Sequence, residues 1–150
     1  MGSGLSKWAI ARTIIVYGIA EGLSRSNVVL WAKGALEKGE PIKVVDDQWR
    51  MPTLAEDLAD GCIRIAKRGA TGVFNLSGPD GMSIMELVER VGAFFGLDTS
   101  VVTAVKSGSL GQPAKRPPVT GFVLDKARRE LGYSPRGFEE GLAVLRSQLD

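Results

Sequence analysis

Residues 8–18 run Trp8-Ala9-Ile10-Ala11-Arg12-Thr13-Ile14-Ile15-Val16-Tyr17-Gly18, and their reading decides the fold. The stretch from Thr13 to Tyr17 is β-branched and aromatic and almost continuously apolar. A strand of that kind is usually buried on both faces, as in a parallel sheet covered by helices. Gly18 and Gly22 mark a loop after it. Ser26 can then cap a helix from Asn27 to Lys38, with Val28, Trp31, Ala32, Ala35 and Leu36 at helical spacing and Gly39 as its stop. A short strand from Ile42 to Val45 leads into the polar turn Asp46-Asp47-Gln48.

The alternation of strand and helix continues to the end of the chain. Thr53 and Glu56 have capping-box spacing, so Thr53 is read as the cap of a helix reaching Lys67, with Leu54, Leu58, Cys62 and Ile65 inward. Gly72 to Leu76 is a second candidate buried strand. Ser83 and Glu86 repeat the capping spacing ahead of a helix that stops at Gly96, and Met82 and Met85 read as core filler. Val101 to Val105 reads as a short strand, and Lys106 to Thr120 is the longest irregular stretch. A loop of that length in a compact domain is usually functional. Phe122 to Leu124 is a further candidate strand, Asp125 a cap for the helix Lys126 to Leu131, and Phe138 to Leu149 a final amphipathic helix. The class is α/β. Only two strands read as fully buried, whereas a doubly wound sheet needs about five or six, so the expectation is the second half of something larger.

Composition narrows the chemistry. The chain has 150 residues, of which 44% are hydrophobic and 24% charged, the balance of a globular domain. Lys and Arg total 19 against 17 Asp and Glu, and a net charge of +2 argues against nucleic acid or an anionic membrane as partner. There is no His, which removes His-based metal sites and Ser–His or Cys–His nucleophiles. The single thiol, Cys62, cannot close an intramolecular disulfide, in keeping with a reducing, cytoplasmic setting. No apolar run approaches the ~18 residues of a membrane span. Residues 1–6 read as a leader or cloning remnant, and residues 7–150 as the structured part.

Several residues in order make a specific pattern: Arg12-Thr13-x-x-Val16-Tyr17-Gly18, Asp46-Asp47-Gln48, Pro52-Thr53-x-x-x-Asp57-Leu58-Ala59, Gly72-x-x-Asn75-x-Ser77-Gly78, Lys115-Arg116-Pro117-Pro118, and Leu124-x-Lys126-Ala127-x-x-Glu130-Leu131-Gly132-Tyr133-x-Pro135. From about Lys7 to Leu149 this resembles the C-terminal half of extended short-chain dehydrogenase/reductases, in particular the dTDP-4-dehydrorhamnose reductase or RmlD-like substrate-binding family. The resemblance implies a partial Rossmann-type sheet plus a helical substrate-binding subdomain. It also implies a parent enzyme that binds NAD(P) on a Gly-rich loop and reduces a nucleotide-sugar ketone with a Tyr-x-x-x-Lys pair. Neither element is in this sequence. Gly2-x-Gly4-x-x-Lys7 lacks a third glycine and a preceding strand, Tyr17 is followed four residues on by Glu21, and Tyr133 by Gly137. The expectation is therefore no catalytic residue, no NAD(P) bound by this chain alone, no reductase activity and only weak nucleotide-sugar binding. The alternative is a non-catalytic binding or regulatory module on the same fold, as in the regulatory subunit of methionine adenosyltransferase.

The candidate site residues each carry two readings. In the related enzymes the residue matching Arg116 contacts the diphosphate, for which a guanidinium fork is suited; the other reading is a solvated loop charge, as for Lys115. Gln48, Trp49 and Arg50 follow a strand and either line the sugar pocket or form a polar turn with Trp49 packed beneath. Tyr17 either lies near the nicotinamide or is a core aromatic. Asn27 either approaches the pocket or caps its helix. The acids Asp46 and Asp47 read as a turn, Glu56, Asp57 and Asp60 as a solvated face, Cys62 as a buried small side chain, and Lys126, Arg128, Arg129 and Arg136 as solvated surface. Finally, the apolar strand at Trp8 to Tyr17 is expected to leave an open edge, through which the chain forms a homo-oligomer or exchanges strands.

Overall fold

The computed structural model describes residues 7–20, 27–110 and 116–150; the expected leader 1–6, Gly22, Ser26 and Lys115 lie outside the described residues. The first elements are β1 (Ala9–Arg12), β2 (Val16–Tyr17), α1 (Val28–Lys38), β3 (Ile42–Val45), β4 (Trp49–Arg50), β5 (Thr53–Leu54) and α2 (Ala55–Arg68). They are followed by β6 (Gly72–Asn75), β7 (Met82–Ser83), α3 (Ile84–Phe95), β8 (Val102–Val105), a 3-10 turn at Ser107–Leu110, α4 (Asp125–Leu131) and α5 (Phe138–Leu149). Parallel pairs join β1 to β6, β2 to β5 and β3 to β8, and an antiparallel pair joins β4 to β7. The α/β class and the paired parallel strands agree with the sequence reading.

The opening segment is not one strand buried on both faces. β1 alternates, with Ala9 and Ala11 half-buried while Ile10 and Arg12 face solvent. After Arg12 the chain changes partner. The Leu76 N–H closes the β1–β6 pairing on the Arg12 carbonyl at 2.8 Å. The Thr53 hydroxyl then donates to the Ile14 carbonyl at 2.8 Å and the Thr53 N–H to the Ile15 carbonyl at 3.2 Å. Between the two pairings Ile15 stands at φ 41°. A β-branched residue there carries strain of about 1–3 kcal/mol, so the surrounding bonds must fix it. Thr53 is one of those fixing residues and not a helix cap. The cap position of α2 is Leu54, with no side-chain bond, because the Thr53 hydroxyl is already committed to the strand crossing.

Other local expectations shift by a residue or a face. Asn27, not Ser26, caps α1: its Oδ1 accepts from the Val29 and Leu30 N–H groups, both at 3.1 Å. The buried stripe of α1 is Val29, Ala32 and Leu36, which turns Trp31 outward to 41% exposure. On α2 the inner face is Asp57, Gly61 and Ile65. A Cβ at Gly61 would lie 2.7 Å from Leu76, so the helix seats by its glycine, and Cys62, one step round, is exposed rather than buried. Asp57 is buried, not solvated; it accepts from the Arg136 N–H at 2.8 Å and from the Arg136 guanidinium. Lys126 is likewise engaged, donating to the Val73 carbonyl at 3.0 Å above the Phe74 ring. Residues Phe122 to Leu124 form no strand, and Asp125 is the first residue of α4 rather than its cap. Ser83 caps α3 as expected, accepting from the Glu86 N–H at 3.0 Å, and α5 spans the expected residues.

The interior divides in two. One cluster gathers Tyr17, Val29, Leu36, Val44, Leu54, Met82, Leu87, Val91, Phe138 and Leu142 between α1, α3, α5 and β3. The other gathers Ile65, Phe74, Leu76, Leu124, Leu131 and Tyr133 between α2, α4 and β6. Within the second, the buried Tyr133 hydroxyl donates to the Ser77 carbonyl, next to Leu76, at 3.2 Å.

Candidate functional site

The candidate site is built where β3, β4 and α1 meet. The β3–β4 turn is tied to the long loop: Asp47 accepts from the Ser107 N–H at 3.0 Å and from its hydroxyl at 2.9 Å, while Lys106 pairs with Asp46 at 2.9 Å. The Ser107 N–H is the main reason the Asp47 carboxyl sits below the usual carboxylate range. The paired acids are thus spent on a turn, as expected.

Beyond Asp47 the side chains alternate between two faces. Gln48 and Arg50 turn to one cavity of about 320 Å³, whose lining also includes Trp31, Lys43, Ile84 and Arg116. Trp49 turns to the opposite face and is neither packed beneath the turn nor part of that cavity. It is 45% exposed and lines a second, apolar cavity of about 270 Å³ with Met51, Gly81 and Val119, and Arg50 borders this cavity as well as the first. Three of the expected residues, Gln48, Arg50 and Arg116, therefore converge, and Trp49 diverges from them. Asn27 sits apart as the cap of α1, donating from Nδ2 to the Gly18 carbonyl at 2.7 Å. Tyr17 is 2% exposed, packed edge-on against Phe138 with ring centroids 5.5 Å apart. Burial, and then the carboxylates of Asp57, Asp80, Glu56 and Glu139, push its hydroxyl well above the usual tyrosine range.

The electrostatics of the first cavity are one-sided. Lys43, Arg50 and Arg116 line it, and among the described lining residues there is no acid. No ion pair among the described residues uses any of these three cations. Burial, and then the neighbouring Arg116, pull the Arg50 guanidinium below its usual range. Such an arrangement favours an anion that neutralises both guanidiniums. Trp31 and Lys43 were not singled out as site residues in the sequence. The signal was a tryptophan one place off the buried stripe and a lysine inside an otherwise apolar strand. Among the described residues no group of acids and Cys could hold a metal ion, and no helix is long and apolar enough to cross a membrane.

The chain is 25% identical over 138 residues to a probable low-salt glycan biosynthesis reductase of Haloferax volcanii, covering 91% of this chain and 46% of that protein. It is 33% identical over 96 residues to a dTDP-4-keto-6-deoxy-D-glucose reductase of Streptomyces niveus, covering 64% of this chain and 33% of that protein. The fold superposes on a dTDP-4-dehydrorhamnose reductase of Bacillus anthracis solved in complex with NADP, with a TM-score of 0.84 at 24% identity, over 95% of this chain and 49% of that one. The chain thus spans about half, or less, of the length of these relatives. Residues 3–150 match the RmlD substrate binding domain, and the chain belongs to that family.

Proposed function

We propose that this chain forms the nucleotide-sugar side of an NAD(P)-dependent nucleotide-sugar reductase of the dTDP-4-dehydrorhamnose reductase type, and that its 150 residues perform no hydride transfer by themselves. The observation that carries the binding half is the cavity in which Arg50, Arg116 and Lys43 stand without an acid beside an exposed tryptophan. A diphosphate neutralises the guanidiniums, and Trp31 with Val28 and Val44 offers an apolar wall to a ring attached to it. At about 320 Å³ the cavity is at the lower end of the ~300–1,000 Å³ usual for ligand sites, which suits part of a nucleotide sugar.

The residues present do not fit the dinucleotide. Its pyrophosphate needs a helix N-terminus with free N–H groups behind a glycine turn. The N-termini of α1 and α3 are taken by Asn27 and Ser83, and that of α5 by Asp80 and Glu140. Helix α2, which has no side-chain cap, follows Pro52-Thr53-Leu54 rather than a glycine turn, and Tyr17 is sealed in the interior. Hydride and proton transfer are accordingly assigned to no residue of this chain.

Titrating a nucleoside diphosphate while following backbone amide resonances tests the binding half. Weak saturation, about millimolar, is expected at Lys43, Arg50 and Arg116, and it should be lost in Arg116→Ala. Absence of any response in the parent chain would refute the reading. NADPH and a dTDP-4-keto sugar should give no change at the nicotinamide absorbance band, and turnover would refute the non-catalytic half.

One observation favours the alternative of a non-catalytic partner module. Ile10 on β1 is 50% exposed and Trp8, just before it, 60%, and β6 is the only strand paired with β1 among the described residues. In either reading, this bare edge is the surface through which copies associate or exchange strands.

A further inference from the structure

The Arg116 limb of the cavity is held to β4 by a short set of bonds. Val119 bridges to Trp49; the Trp49 N–H donates to the Pro118 carbonyl at 2.7 Å and the Thr120 N–H to the Trp49 carbonyl at 3.0 Å. Arg50 reinforces this bridge from its side chain. Its Nη1 donates to the Trp49 carbonyl at 2.7 Å and to the Pro118 carbonyl at 3.3 Å. Its Nη2 donates to the Gln48 Oε1 at 3.1 Å. A guanidinium has about five N–H donors, so these three bonds leave it two for a ligand. Gln48 itself is 7% exposed. Its own carbonyl accepts from the Ile84 N–H at 3.0 Å, which anchors the residue to the start of α3.

We infer that Gln48 is a positioning residue: its side-chain oxygen fixes the Arg50 guanidinium on the Pro118 carbonyl, and so holds the Arg116 limb at the distance from Arg50 that lets both arginines meet one anion. Its consequence for binding rests on the diphosphate reading above, but the latch itself does not. Neutrality matters in this place. A carboxylate would hold Arg50 equally well, but it would cancel the positive charge that two adjacent guanidiniums present to an anion. An apolar side chain would leave the charge and free the fork.

The test uses the full chain with Gln48→Leu, Gln48→Glu and Arg50→Lys. Amide hydrogen exchange is read at Trp49 and Thr120, with Leu76 of the β1–β6 pairing as internal control, and inorganic pyrophosphate is the binding probe. Gln48→Leu should lower protection at Trp49 and Thr120 about tenfold and weaken pyrophosphate by a similar factor, leaving Leu76 unchanged. Gln48→Glu should restore protection and still bind pyrophosphate more weakly than the parent. Arg50→Lys should lose protection as Gln48→Leu does. Unchanged Trp49 and Thr120 exchange in Gln48→Leu, or an equal loss at Leu76, overturns the inference. Should Gln48→Leu not fold, Arg50→Lys and Gln48→Glu decide it: full protection in the first, or none in the second, overturns it. If the parent chain ignores pyrophosphate while the exchange pattern holds, the diphosphate reading fails and the latch stands.

Discussion

Replacing Gly141 with alanine should destabilise the protein, although the same change at an open helix position does the reverse. Gly141 lies within α5, over the ring of Tyr17. A Cβ at this position would stand 1.9 Å from the Tyr17 hydroxyl oxygen and 3.0 Å from its Cζ. Tyr17 cannot simply swing aside, being 2% exposed and packed edge-on against Phe138. Helix propensity favours alanine over glycine by about 1 kcal/mol. Forcing extra volume into a filled core costs about 1–3 kcal/mol, and so severe an overlap belongs at the upper end. The net is a loss of about 2 kcal/mol, equivalent to a fall in Tm of about 4–8 °C for a chain of this size. Gly34 in α1 is the control, since a Cβ there meets nothing within 4 Å. Gly34→Ala should raise Tm by about 2–4 °C. Thermal unfolding followed by circular dichroism reads both variants. Adding Tyr17→Phe to Gly141→Ala removes the clashing oxygen, and the double-mutant cycle should return about 1–2 kcal/mol of coupling. A rise in Tm for Gly141→Ala, or no coupling to Tyr17, would refute the reasoning.

Asp57→Ala removes the buried acceptor of the Arg136 N–H and guanidinium at the start of α5, and urea titration should show a loss of about 1–3 kcal/mol; a change below the error of the titration would contradict the assigned role. The Arg90 guanidinium holds the Glu139 carboxyl below its usual value of 4.5, so that pair stabilises the fold above about pH 4.5 and the contribution fades as pH falls through the lowered folded value. Because Glu139 is 53% exposed, the effect is small, about 0.2–1 kcal/mol, and Glu139→Gln should flatten the acid limb of urea midpoints between about pH 3 and 6; superimposable limbs would count against it. Light scattering should find a mass above the 16.0 kDa of one chain at high concentration, and Ile10→Lys should restore the monomer. A clean monomer of the parent chain with β1 protected from exchange argues the opposite.

Helix ends were the easiest features to read from the chain. Gly39, Gly96 and Gly132 stop α1, α3 and α4 in the left-handed conformation, because a helix end leaves carbonyls that such a residue helps to satisfy. Strand β3 and helix α5 also lie where apolar spacing placed them. Capping spacing was a poorer guide. Ser83 and Thr53 look alike in sequence, yet only Ser83 is a cap, since the Thr53 hydroxyl is claimed by the Ile14 carbonyl 39 positions away. The break at Ile15 was hidden for the same reason: a run of β-branched residues does not say where its partner strand changes. In the site, Arg116 and Arg50 were visible as charges near a strand end and a proline turn. That they share a cavity with Trp31 depends on a rotation of α1 by one residue, set by which of its sides the core accepts.

The divided interior has a thermodynamic consequence. The helices and strand around Val29, Val44 and Leu87 enclose one apolar nucleus, and those around Phe74, Leu76 and Leu131 enclose another. Each can act as its own cooperative unit, opening with its own free energy. The cationic cavity borders only the first, at Val44, α1 and the start of α3. Occupancy therefore adds RT ln(1 + [L]/Kd) to the opening free energy of that unit alone and leaves the α2–β6–α4 unit at its resting value. Ligand and fold are coupled locally in this protein, and a saturating anion would slow amide exchange around the first nucleus by more than around the second.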